Sequence, residues 1–152
     1  DDIHLAVEAV TTKEAFSAIH YWDSGINWKD IGVFGNLQWL RDVSKELMPV
    51  LYELVKRHIE DQVPVIIEGD FIDPELAERF DSSEVKTVFV CEKDKNHIIQ
   101  NYLSREGGEV QEYRAEISVA YGNWLTKVCE QNDILVVEPK PWNTLMERVL
   151  KG

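Results

Sequence analysis

Two carboxylates bracket a glycine where an apolar run ends, in Val65-Ile66-Ile67-Glu68-Gly69-Asp70-Phe71. Carboxylates at the carboxyl end of a buried strand can hold the water shell of Mg²⁺ or accept a proton from an attacking hydroxyl, and Gly69 lets the backbone approach a phosphate. The same pair also suits a plain cap on the next segment. A second set is Arg105 and Arg114, separated by a polar stretch containing Gly107 and Gly108. The planar guanidinium matches phosphoryl oxygens, so a loop with an arginine near each end can close over an anion. Glu106, Glu109, Glu112 and Glu116 are equally available as local partners for these arginines. A third is the stiff turn Glu138-Pro139-Lys140-Pro141-Trp142, whose backbone can line a base pocket or serve only as a strand-to-helix connection. The fourth, Asp1-Asp2-Ile3-His4, joins two carboxylates to an imidazole, which suits orienting a hydroxyl or simply a solvated chain end.

Other residue types offer less. His20, His58 and His97 lack metal-ligand spacing, which argues against a zinc site. Cys91 and Cys129 sit in apolar runs, as buried reduced thiols do. Trp22, Trp28 and Phe34 lie among Gly25, Gly32 and Gly35 in an aromatic-rich loop over 20–36, fit for a substrate pocket, a core or an interface.

The elements that must position these groups follow from periodicity. Ile3, Ala6, Val7 and Val10 mark a short helix, and Thr11-Thr12-Lys13-Glu14 has the spacing of a capping box opening a second one through Ile19. Leu37, Leu40, Val43, Leu47, Leu51 and Ile59 mark a long amphipathic helix, with a kink or a junction expected at Pro49. Val63 to Glu68, Val85 to Cys91 and Ile134 to Val137 read as strands apolar on both faces, separated by helices over 74–80, 96–106 and 113–129. A last helix follows Asn143. This alternation predicts a single three-layer α/β/α domain with a mostly parallel sheet over 1–152.

Composition sets outer limits. The 152 residues carry a formal net charge of -12, which repels phosphate backbones and anionic lipid and disfavours nucleic-acid or membrane-surface partners. No apolar stretch approaches a membrane span and no secretory leader is visible, so the cytoplasm is the expected compartment.

The order of these features resembles the P-loop small-molecule kinases, the group that includes adenylylsulfate kinase, shikimate kinase and 2-phosphoglycerate kinase-like proteins. Asp1-Asp2-Ile3-His4 is similar to the family's aspartate pair, Val65 to Asp70 to its Walker B-type strand, and Asn101 to Arg105 to its lid helix. The turn over Pro139, Lys140, Pro141 and Trp142 falls where the family contacts adenine. The resemblance implies ATP and Mg²⁺ as cofactors, and transfer of the γ-phosphoryl group to a small hydroxylated substrate. It implies Asp2 and Asp1 at the acceptor hydroxyl, and Glu68 and Asp70 on the metal. Arg105 and Arg114 then belong to a lid-like segment over 105–114, and Gly69 with the proline turn to the nucleotide site. The chain departs from the pattern by lacking G-x-x-x-x-G-K-[ST], without which phosphoryl transfer fails. A strand–loop–helix–strand unit of roughly 35 residues is therefore expected ahead of Asp1. The alternative from another class is a non-catalytic binding or oligomerisation module, associating with itself or a partner through the aromatic-rich loop and an exposed sheet edge. A third reading is a metal-dependent enzyme of another α/β family using Glu68 and Asp70.

Overall fold

The computed structural model describes residues 2–151 and divides into two compact units, one ending at Val85 and one beginning at Lys86.

The first unit is helical. Helix α1 (Asp2–Val10) is followed by turns, and α2 (Gly32–Glu60) runs through Pro49 as one helix. Apolar residues at four-residue steps, Val43, Leu47 and Leu51, place one stripe of α2 in the core, where Val7, Ala18, Ile19, Met48 and Leu76 meet them. The short α3 (Pro74–Ala77) starts where Asp73 caps the Glu75 amide at 2.9 Å and Pro74 fills the first turn. The helix expected to run through Ile19 is replaced by turns. Its last amides are diverted: those of Ala18 and Ile19 donate to the Glu46 carboxylate instead of to carbonyls one turn back. The aromatic-rich loop contains a 3-10 turn (Tyr21–Ser24) and gives way to α2 at Gly32. Tyr21, Trp22 and Trp39 meet in one aromatic cluster, with Trp22 edge-on to the other two rings.

The second unit holds the sheet. Strand β1 (Val88–Val90) leads through α4 (Lys95–Glu106) and α5 (Glu112–Gln131) to β2 (Leu135–Val137), and α6 (Leu145–Leu150) closes the unit. The strands pair in parallel, with Phe89 opposite Val136, as a connection through two helices permits. Asp94 caps α4 by accepting from the Asn96 and His97 amides. Ile98 and Ile99 of α4 pack on Ala115 of α5, and Tyr102 and Ser118 share a 2.8 Å hydroxyl hydrogen bond across the pair.

The three-layer α/β/α P-loop-like architecture is therefore corrected. The molecule is mainly helical, with two three-residue strands in a two-stranded parallel sheet. The segment expected as a Walker B-type strand, Val63 to Glu68, has no regular secondary structure and joins no ladder. Ile66 is 95% exposed, and only Ile67 of this run packs against the core. Continuous apolar character forecasts burial on both faces, but a strand also needs at least one neighbour to pair with. Among the described residues this segment has none.

Candidate functional site

Asp2 lies in the first turn of α1 and is exposed, whereas Asp1 falls outside the described residues. Glu68, Gly69 and Asp70 are all exposed in irregular or turning chain. A β-carbon added at Gly69 would meet nothing within 4 Å, so no close backbone approach demands glycine there. The neighbours of these acids, Ile3, Ile67 and Phe71, pack against one core cluster, and the His4 and Phe71 rings meet edge-on at 5.3 Å.

In the second unit Arg105 and Arg114 do come together, on Glu106. Arg114 Nη1 donates to both carboxylate oxygens, at 3.0 and 2.8 Å, and Arg105 Nη2 to Oε1 at 2.6 Å. Gln111 Nε2 adds a fourth bond at 3.0 Å. Hydrogen bonds from Gln111, Arg105 and Arg114 pull the Glu106 carboxyl down to about 2. The Arg114 guanidinium also stacks 4.1 Å from the Tyr102 ring centroid. Gly107 and Gly108, at φ 68° and 79°, supply the left-handed backbone that turns the chain out of α4 and back toward this cluster. Local acids thus take up the fork geometry that the sequence offers to a phosphate.

The proline turn borders a shallow groove of about 450 Å³ lined by Val136, Val137, Lys140, Pro141, Arg148 and Lys151. Arg148 binds the turn itself, donating to the Pro141 carbonyl at 3.1 Å, the Pro139 carbonyl at 3.4 Å and the Glu138 carbonyl. Trp142 projects from the turn, 63% exposed.

Strand β1 presents a different kind of feature. Its one strand neighbour among the described residues is β2. The Cys91 amide donates to the Val137 carbonyl at 3.0 Å, so by the alternation of a strand Phe89 and Cys91 direct their backbone groups to β2. Val88 and Val90 direct theirs to the opposite, unpaired edge, where Val90 is 48% exposed. An unpaired edge of this kind is a template for another chain.

One cluster escaped the reading of the sequence. Glu8 of α1, buried His20 and Asp23 of the 3-10 turn each offer a ligand atom within 4.8 Å of the others. Their separations of twelve and three residues match no linear motif, so only the fold back of the turn onto α1 reveals them. This set, found among the described residues, contains neither Glu68 nor Asp70.

Comparison with family models, with curated proteins and with solved structures finds no match for this chain. No helix among the described residues is long and apolar enough to cross a membrane.

Proposed function

We propose that this chain is a non-catalytic module that associates with a second copy of itself through the open edge of β1. The observation that carries the reading is the half-paired strand: Val88 and Val90 turn their amides and carbonyls away from β2. An antiparallel pairing of two β1 edges centred on Phe89 is isologous, as closed dimers require. It sets Val88 opposite Val90 of the second copy and reciprocally, a register in which each pair exchanges two hydrogen bonds.

The phosphotransfer reading has weaker support, because Arg105 and Arg114 are engaged by Glu106 and the Val63 to Glu68 segment joins no sheet. Four edge hydrogen bonds of about 1 kcal/mol net each, set against an association cost of several kcal/mol, make a weak dimer. Even before that cost, about 4 kcal/mol corresponds to a dissociation constant of about 10⁻³ M, so millimolar protein is needed to populate the dimer. The net charge of -12 on each copy opposes association, so added salt strengthens it.

Sedimentation velocity across a concentration series tests this with Val90→Pro as the diagnostic variant. Proline at 90 removes an amide from the open edge and leaves the bonds of Phe89 and Cys91 to β2 in place. The wild type should show a concentration-dependent dimer, and Val90→Pro a monomer with unchanged helical circular dichroism. A wild type that stays monomeric at millimolar concentration, or a proline variant that dimerises equally, sinks the proposal. ATP binding by the monomer would return the kinase reading to first place.

A further inference from the structure

We propose that Glu8, His20 and Asp23 bind a divalent transition-metal ion, with Zn²⁺ the best fit, and that Thr11 orients the imidazole for it. The Thr11 hydroxyl has one proton. It donates that proton to the Val7 carbonyl at 2.8 Å. The His20 Nε2 lies 3.0 Å from the same oxygen, so Nε2 must carry a proton and donate to it. In the neutral ring this fixes the tautomer and leaves a lone pair on Nδ1. Nδ1 is 3.9 Å from Asp23 Oδ2, and one ring nitrogen of His20, a Glu8 oxygen and an Asp23 oxygen all lie within 4.8 Å of one another. Close donors of this kind repel unless a proton on Nδ1 or a metal cation lies between them, and the three are near enough for one ion to bridge.

The surroundings fit a metal centre. Metal-bound histidines donate their second ring N–H to a nearby acceptor, as His20 does to Thr11. The turn that carries His20 is anchored to α2 from two sides. The Ala18 and Ile19 amides donate to Glu46 at 3.1 and 2.9 Å, and Trp39 Nε1 donates to the Ala18 carbonyl at 2.9 Å. His20 itself is 8% exposed, while the Asp23 side chain is 72% exposed and free to swing inward. Tetrahedral Zn²⁺ with bonds of about 2.0–2.1 Å sets its ligands roughly 3.3 Å apart, so Asp23 closes on His20 by about half an ångström and Glu8 on the others by at most about 1.5 Å. One nitrogen and two carboxylate oxygens supply three ligands and a net charge of -2, leaving a fourth position for water. This inference stands apart from self-association, since no residue of β1 takes part.

Isothermal titration of the full chain with Zn²⁺, repeated with Co²⁺ as an optical probe, tests it. One Zn²⁺ per chain is expected, and a Co²⁺ spectrum without a sulfur charge-transfer band, because Cys91 and Cys129 are not ligands. Glu8→Gln and Asp23→Asn should each weaken Zn²⁺ binding at least tenfold, and His20→Ala should abolish it. Thr11→Val should weaken it by about 10- to 100-fold without losing secondary structure. Glu68→Gln is the control and should bind as the wild type does. His20 is buried, so a misfolded His20→Ala chain shifts the decision to the two carboxylate variants. Absence of Zn²⁺ binding at 0.1 mM metal (about the affinity of a weak three-ligand site), or equal binding in Glu8→Gln and Asp23→Asn, overturns the proposal.

Discussion

Removing the Glu46 carboxylate should unfasten the turn that carries Ala18, Ile19 and His20. Glu46 Oε1 accepts from the Ala18 amide at 3.1 Å and Oε2 from the Ile19 amide at 2.9 Å. Ile19 is fully buried and Ala18 nearly so, which leaves their amides few other acceptors. A hydrogen bond to a charged acceptor contributes about 1.5–3 kcal/mol, and Glu46→Ala removes two. Glu46 is partly exposed, so water replaces some of what is lost. The expected destabilisation is about 2–4 kcal/mol, a large share of the 5–15 kcal/mol typical of a native domain. Glu46→Gln keeps one acceptor oxygen and turns its amide group toward the second N–H, so it should lose about half as much. Urea denaturation followed by tryptophan fluorescence measures both, with Trp39 reporting because it donates to the same turn at Ala18. Trp39→Phe combined with Glu46→Ala should be non-additive, since both act on one peptide segment. An Ala variant within about 0.5 kcal/mol of wild type, at unchanged slope, would refute the assignment of Glu46 as the anchor.

Further outcomes follow from the second unit and its thiols. The Glu106 carboxyl, drawn from 4.5 to about 2, contributes stability that is complete above about pH 4.5 and is lost as pH falls toward 2. Carboxyl-carbon NMR should place its titration there, and Arg114→Ala should raise it; an ordinary midpoint in the wild type would remove the cluster. Burial pushes the Cys91 thiol upward and Cys129 is fully buried, so neither should react with a thiol reagent at pH 8 until urea unfolds the chain. Rapid reaction of one thiol in the native chain would contradict that burial.

Periodicity made the helices legible. Apolar steps of three and four residues mark α1, α2, α4 and α5 in the sequence, because a helix is closed by its own local hydrogen bonds and needs from elsewhere only a face to bury. The strands were legible in part. Val85 to Cys91 and Ile134 to Val137 contain β1 and β2, but Val63 to Glu68 reads the same way and stays unpaired. Pairing is a property of two segments, and no pattern within one of them specifies it. The turns through Ile19 failed for a related reason: Glu46, 27 residues away, competes for the amides that a local helix would use. Arg105 and Arg114 converge, and the anion they meet is Glu106, one of the local partners the sequence offers. The cluster of Glu8, His20 and Asp23 had no linear signal, since its geometry exists only once the turn folds back on α1.

The proposed antiparallel pairing of two β1 edges about Phe89 can be read out in a mixed sample of isotope-labelled and unlabelled chain. With the Phe89 amide directed to β2, its Hα points to the open edge. In the proposed register Phe89 sits opposite itself in a non-hydrogen-bonded pair, where α-protons lie closest. An isotope-filtered NOE experiment should therefore show an intermolecular contact between the two Phe89 Hα atoms at high protein concentration. It should vanish in Val90→Pro. Intermolecular contacts confined to other residues, or none in a sample shown to be dimeric, would contradict the account.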